Sequence, residues 1–489
     1  MRTRLLRLVV VGGAAYGAYE FVKRRSTKQS TGAGVSHTSA MARNVAVAKT
    51  GARIGAKSAA HQARRATASP EKQAELDAQF ELKTADEVVN VLGNMKGALM
   101  KIGQMASFLD DGLPEPMREA LATLQADAPP MTSALAAKVV EEELGATPDR
   151  IFAEWDETPL SAASIGQVHR AVTQDGRAVA VKVQYPGVDT AIMSDLENSQ
   201  LLFSVLGMVF PGMDPQPIVD ELRERLGEEV DYRIEARNQQ DFHRWYATHP
   251  FIHVPAVVPE HSSQRVLTTE LADGARFAEV DATWSDEQKN LAAEAIYRFV
   301  FRSFYQFKAF NGDPHPGNYL FRPDGRVTFL DFGLVKRFEQ KDVDEAAHMI
   351  KSLVLDDDVA EYRRTIEQLG ILQRNAPVTD KEVDDYFGYF YKLVRQPGTH
   401  RVSHDYAAGM VRQFFDVTSS SSRVPKFSNL TREWVILQRI NLGLYAILAR
   451  LEAELDWLGI SQQLWSFTDG EAVTELGRQE AAWLATLNA

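Results

Sequence analysis

In the run Gly312-Asp313-Pro314-His315-Pro316-Gly317-Asn318, an aspartate and an asparagine stand five positions apart. Two prolines and a glycine shape the backbone between them. Thirteen residues after Asn318 comes Asp331-Phe332-Gly333, at the end of a short apolar run. Carboxylate and amide oxygens are the ligands that Mg²⁺ takes, and a further carboxylate can orient a hydroxyl or water for attack on phosphorus. The order and spacing therefore point to phosphoryl transfer. Asp313, Asn318 and Asp331 are the candidate oxygen-bearing side chains for these tasks.

Such a site needs a cation for the nucleotide phosphates. Val179-Ala180-Val181-Lys182 supplies one at the end of an apolar strand, placed to meet α- and β-phosphate oxygens. A partly buried lysine needs a carboxylate partner on a neighbouring helix. Asp231 and Glu235 lie four apart in an acidic stretch and share a helix face, so spacing does not choose between them. Glu228 reads as part of a solvated acidic face. A phosphate-covering segment belongs one hairpin before the lysine strand, where Ser161-Ala162-Ala163-Ser164-Ile165-Gly166 stands. It lacks the usual Gly-x-Gly-x-x-Gly, so it is stiffer than a glycine-rich loop. Ala162, Ala163, Ser164 and Gly166 are its candidate nucleotide contacts. Glu270 closes the strand before the helical half and reads equally as part of an adenine-holding junction and as an exposed strand-end carboxylate.

The positioning elements follow from periodicity. Residues 167–173 and 178–184 read as strands joined through Gln174-Asp175-Gly176-Arg177, a hairpin signal. Two more strands fit 253–258 and 265–271, and a hairpin about Pro323-Asp324-Gly325 joins 319–321 to 327–330. Helices fit 133–144, 216–245 and 286–310, and the chain from 340 onward is almost entirely helical. The class is α+β, with a sheet-containing lobe, a helical C-terminal lobe and a ligand cleft between them. The expected division is an anchor or interfacial helix at 1–25 and a basic linker at 26–75. A helical extension follows at 76–150, then the N-lobe at 151–275 and the C-lobe at 276–489.

The chain has 489 residues, 45% of them hydrophobic, ample for a large core. It has no cysteine, which excludes disulfides, thiolate metal sites and cysteine nucleophiles. Residues 1–72 carry a net charge of +12, whereas the whole chain nets −12. A basic arm on an acidic body predicts contact with anionic lipid headgroups. Ahead of the arm, an apolar run from Leu8 to Val22 is bracketed by arginines and lysines. It is short for a spanning helix and reads as a membrane anchor or interfacial helix. The expected partners are a membrane lipid surface and lipid-biosynthetic proteins, with no nucleic acid. The expected place is at a membrane, with the catalytic domain in the cytoplasm.

Taken together, these residues resemble the UbiB/AarF-like family of atypical protein kinases, over roughly residues 80–340. Lys101-Ile102-Gly103-Gln104 matches the family's Lys-x-Gly-Gln motif, and Ser161–Ser164 its alanine-rich loop. Glu229-x-Asp231 followed by Glu235, and Asp313-Pro314-His315-Pro316-Gly317-Asn318, complete the match. The resemblance implies a bilobal protein-kinase-like fold with an N-terminal helical extension. It implies ATP/ADP and Mg²⁺ as ligands. Lys182 would bind phosphates and pair with Glu235, Asp313 would be catalytic, and Asn318 and Asp331 would hold the metal. Lys101, Gly103 and Gln104, tethered by Glu229 and Asp231, would fold over the site and occlude a protein substrate. The implied activity is that of an atypical kinase or ATPase tied to quinone or isoprenoid-lipid metabolism. The alternatives are a nucleotide-responsive pseudokinase scaffold and a small-molecule kinase.

Overall fold

The computed structural model describes residues 131–163, 165–188, 227–228, 230–311, 315–415, 422–429 and 432–487. Thr132 accepts a hydrogen bond from the Leu135 amide and starts helix α1 (Ser133–Leu144), which Gly145 ends in the left-handed conformation. Strands β1 (Phe152–Trp155), β2 (Ser161–Ala163), β3 (Gly166–Thr173) and β4 (Ala178–Gln184) follow. Then come helix α2 (Tyr232–Trp245), the short strand β5 (Ile252–His253) and β6 (Val266–Glu270). The sheet runs β1-β3-β4-β6 with β2 paired to β3, and every pairing is antiparallel.

Strand β4 shows why the sheet has two different faces. Val179, Val181 and Val183 are buried and pack with Ala136, Val139 and Val140 of α1. Each such valine contributes about 1.5–3 kcal/mol by leaving water. The two-residue period then turns Ala180 and Lys182 to the opposite face. Helix α1, read from sequence as the end of the extension, thus packs into the core of the small lobe.

The larger lobe is built around α4 (Asp286–Phe307), preceded by α3 (Phe277–Thr283). A reciprocal cap between Ser285 and Gln288 starts α4. Strands β7 (Ala309–Asn311), β8 (Tyr319–Phe321), β9 (Val327–Phe329) and β10 (Val335–Arg337) come next. β8 and β9 form a hairpin, β5 joins β9 in parallel, and β7 pairs with β10. Gly325 turns the hairpin at φ +89°. Helices α5 (Gln340–Ile350), α6 (Val359–Gln368), α7 (Asp380–Phe387), α8 (His404–Phe415), α9 (Arg432–Arg450), α10 (Trp457–Leu464) and α11 (Glu475–Leu487) complete it. The last helix is tied to α4 through buried charges. Arg298 donates to Glu294 at 2.7 Å and Glu480 at 2.8 Å, and Arg302 donates to both Glu480 oxygens at 3.1 Å.

The fold is the α+β, bilobal arrangement expected. Several boundaries differ for local reasons. The expected helix 216–245 is interrupted: residues 227–228 are helical, but Asp231 has extended backbone (φ −121°, ψ 93°) and caps a new helix from Tyr232 by accepting from the Arg233 amide. The strand expected at 253–258 shrinks to Ile252–His253. Pro255 has no N–H to offer a ladder, and Val257 makes only an isolated bridge to Thr269. The helix expected to reach 310 stops at Phe307, where Lys308 adopts φ 51° and Ala309–Asn311 turns into a strand. The alanine-rich segment, expected as a loop, is a hairpin arm: Ser161, Ala162 and Ala163 pair with Val168, Gln167 and Gly166. Among the described residues, no helix is long and apolar enough to cross a membrane. The expected anchor and the Lys101–Gln104 motif lie outside the described residues.

Candidate active site

A cleft of about 460 Å³ opens between the lobes. One wall is the free face of the sheet, contributing Val168, Ala180, Lys182, Leu267 and Thr269. Register explains the grouping, since Lys182 lies opposite both Val168 and Leu267, and Ala180 opposite Thr269. The other wall brings Tyr319, Leu320 and Leu330 from the β8–β9 region, with Pro316 and Gly317 from the loop before it.

Lys182 is the centre of the charge arrangement. Its Nζ donates to Glu235 Oε1 and Oε2, each at 2.8 Å, and lies 3.8 Å from Asp331 Oδ2. It also sits 5.0 Å from the centre of the buried Tyr232 ring. Burial opposes the ammonium form, but the charges of Glu235 and Asp331 outweigh it and hold the Lys182 pKa well above the ordinary lysine value. The lysine is therefore a fixed cation at neutral pH. The choice that spacing left open falls to Glu235, which is buried on α2. Asp231 stands ahead of that helix and pairs with Arg233 at 2.7 Å.

Asp331 follows β9. Its Oδ1 accepts from the Gly333 amide at 2.9 Å, and its carbonyl accepts from Asn311 Nδ2 at 2.6 Å. Phe332 is fully buried, 4.9 Å from the Phe242 ring, and its carbonyl accepts from Asn238 Nδ2 at 3.1 Å. Helix α2 is thus bonded to the Asp-Phe-Gly turn as well as to Lys182. Asn318 closes a single tight turn, Pro316–Asn318, fixed when His315 Nδ1 accepts from the Gly317 amide at 3.0 Å. The His315 ring thus shapes this turn.

Of the alanine-rich segment, Ser161 and Ala162 line the cleft, and Ala163 and Gly166 face each other across the hairpin. Gly166 answers to packing, because a Cβ there would collide with the Val183 carbonyl oxygen and stand 2.9 Å from the Tyr232 hydroxyl. Glu270 lines the cleft, accepts from the Ala256 amide at 3.3 Å and lies 3.5 Å from His253 Nε2. Asp313, Ser164, Glu229, Lys101, Gly103 and Gln104 lie outside the described residues.

Four cleft residues escape motif reading. Thr269 and Gln239 line the rear, and Arg276 and Arg450 the mouth. Arg276 Nη2 donates to the Leu160 carbonyl at 3.3 Å, and the Arg450 guanidinium lies 4.6 Å over the Phe277 ring. Arg450 comes from α9, far along the chain, and carries no local signal of a role in the cleft.

A five-stranded antiparallel sheet, a helix bonded to its lysine, and an Asp-Phe-Gly turn beneath define a protein-kinase-like fold. Residues 123–364 match the family model described as an ABC1 atypical kinase-like domain. The chain is 32% identical over 327 residues to the atypical kinase COQ8B, mitochondrial, of Rattus norvegicus, covering 66% of this chain and 61% of that protein. It is 33% identical over 291 residues to the atypical kinase COQ8, mitochondrial, of Saccharomyces cerevisiae, covering 59% and 57%. The chain thus spans about three fifths of the length of these curated relatives. The solved complex of Rv3197 with erythromycin from Mycobacterium tuberculosis is 32% identical, with a TM-score of 0.59, covering 80% of this chain and 98% of that one. The chain belongs to the UbiB/AarF-like family of atypical kinases.

Proposed function

We infer that this chain is an ATP-binding, Mg²⁺-dependent atypical kinase or ATPase that works at a membrane surface in support of quinone or isoprenoid-lipid metabolism. The observation that carries this reading is the Lys182 ammonium held by both Glu235 oxygens with the Asp331 carboxylate 3.8 Å away. In this reading Lys182 neutralises phosphate oxygens of the bound nucleotide and Glu235 positions it. The donor set suits a hard cation: Asp331 offers a carboxylate and Asn318 an amide oxygen, and nucleotide phosphates would supply the rest. Bound there, Mg²⁺ would neutralise charge developing on the transferred phosphoryl group. Asp313 accepts the proton of the attacking hydroxyl or water as the γ-phosphoryl passes to that oxygen and ADP leaves. In the same reading, Lys101, Gly103 and Gln104, with Glu229 and Asp231, would limit which acceptors enter.

The membrane part rests on the basic, apolar-led N-terminus. The test is phosphate release by the full chain with anionic lipid vesicles. Steady Mg²⁺-dependent release, lost in Asp313→Asn, supports the reading. Nucleotide binding without any turnover leaves a scaffold that uses nucleotide as a conformational ligand.

A further inference from the structure

Gln239 is 1% exposed, yet its Oε1 has no hydrogen-bond partner among the described residues. A buried acceptor left unmade costs about 1–3 kcal/mol, so an orphan in a native cleft calls for an explanation. Its orientation is not free. Nε2 donates to the Pro255 carbonyl at 2.8 Å, which fixes the amide so that its other end can only accept.

The position follows from the surrounding backbone. Gln239 stands one helical turn after Glu235 on α2 and lines the same cleft as Lys182. The segment that anchors it runs beside the end of β6: the Glu270 amide donates to the Ala256 carbonyl at 2.8 Å, and Val257 bridges Thr269. Gln239 therefore serves the Thr269–Glu270 end of the cleft, away from the phosphate-binding cation. With phosphates at Lys182, the base of a nucleotide lies toward this end. The Glu270 carboxylate there is also an acceptor, and the Thr269 hydroxyl has lone pairs to offer. An acceptor-rich wall favours a ligand edge that carries N–H and disfavours one that carries C=O.

We propose that Gln239 sets nucleobase selectivity: its Oε1 accepts from the exocyclic amine of adenine, directly or through one water, and disfavours 6-oxopurine nucleotides. This rests on the nucleotide reading of the cleft. A carbonyl at that ring position would face the Gln239 oxygen with no proton between them, leaving two acceptors unpaired.

The test measures ADP and inosine diphosphate affinities, with Mg²⁺, for the wild-type chain and for Gln239→Leu and Gln239→Met, which keep the volume and remove the acceptor. Thermal unfolding establishes that each variant is folded. The wild type is expected to favour ADP by about tenfold or more, and the variants to bring that ratio within about threefold. An undiminished preference in a folded variant overturns the role of Gln239 while leaving nucleotide binding intact. Equal wild-type affinity for the two nucleotides overturns the proposal without recourse to any variant. Binding of neither nucleotide overturns the nucleotide reading itself, and this proposal with it.

Discussion

Lys182 Nζ stands 2.8 Å from both carboxylate oxygens of Glu235, a bond between the second strand of a hairpin and a helix 53 residues further along. The lysine side chain is 16% exposed and the glutamate 5%, so neither charge can rely on water if the other is removed.

This pairing predicts an asymmetric mutational response. Lys182→Met strands a buried carboxylate and is expected to cost about 3–5 kcal/mol of stability. Adding Glu235→Leu removes the stranded charge and is expected to recover most of that loss. Nucleotide affinity is expected to fall by about tenfold or more in both variants, because neither restores the phosphate-binding cation. Urea denaturation alongside nucleotide titration checks both halves. A double variant no more stable than the single would mean that the pair is not the source of the cost.

Asp331→Asn keeps an oxygen for the Gly333 amide but removes the negative charge beside Lys182. The expected outcome is a loss of Mg²⁺ dependence. ADP binding with Mg²⁺ weakens by about tenfold or more, and binding in chelator is unchanged or tighter. Calorimetric titration with and without Mg²⁺ reads this. Equal Mg²⁺ enhancement in variant and wild type removes Asp331 from the metal site.

What the sequence made legible follows a physical divide. Lys182 was readable because the two-residue alternation of β4 forces it onto the face opposite Val179, Val181 and Val183. Asp331 was readable because a short hairpin delivers it to a fixed place. Spacing did not choose Glu235 over Asp231, since the choice turns on one residue's backbone leaving the helical region at the cap; only the family resemblance pointed to Glu235. The hairpin pairing of Ala162 and Ala163 was hidden because three small residues carry no periodicity. Gln239 was hidden because a mid-helix glutamine reads as surface, and only burial by β6 and Pro255 makes it part of a cleft. The Arg450 contribution arises from packing of distant helices, which no local pattern encodes.

Gly166→Ala separates backbone packing from ligand contact. The added Cβ meets the Val183 carbonyl oxygen and the Tyr232 hydroxyl, so the β3–β4 pairing must yield. The expected cost is about 1–3 kcal/mol, the scale of overpacking. Nucleotide affinity of the folded fraction should change by less than about threefold, since Gly166 faces β4 and its hairpin partner. A stable variant that fails to bind nucleotide would show instead that the glycine acts on the ligand.

The buried cluster around Glu480 makes a prediction about acid. Burial opposes ionisation of Glu480, but its contact with His249 and the guanidinium groups of Arg302 and Arg298 outweigh that and hold its pKa at about 2, below the ordinary glutamate value of 4.5. Its contribution to stability is thus fully present above about pH 4.5 and is lost as pH falls from there toward 2. His249 works in the same direction. Burial lowers its pKa below 6.5, and its Nδ1 accepts from the Ile252 amide at 3.0 Å, which holds the ring neutral. The unfolded chain therefore takes up a proton below about pH 6.5 that the folded chain refuses, so stability also declines on acidification through that window. Melting temperature should fall steadily from pH 7 to pH 4. Glu480→Gln should lose about 3–5 kcal/mol at pH 7, since it removes the carboxylate that Arg302 donates to and leaves Arg298 with only the Glu294 carboxylate, and should show a flatter acid limb below about pH 4.5. His249→Gln should flatten the profile below about pH 6.5 while sparing the Glu480 limb below about pH 4.5. An acid limb unchanged in Glu480→Gln would place the acid sensitivity outside this cluster, and helix α11 would then be held by its apolar contacts, Leu476 and Trp483, rather than by the buried charges.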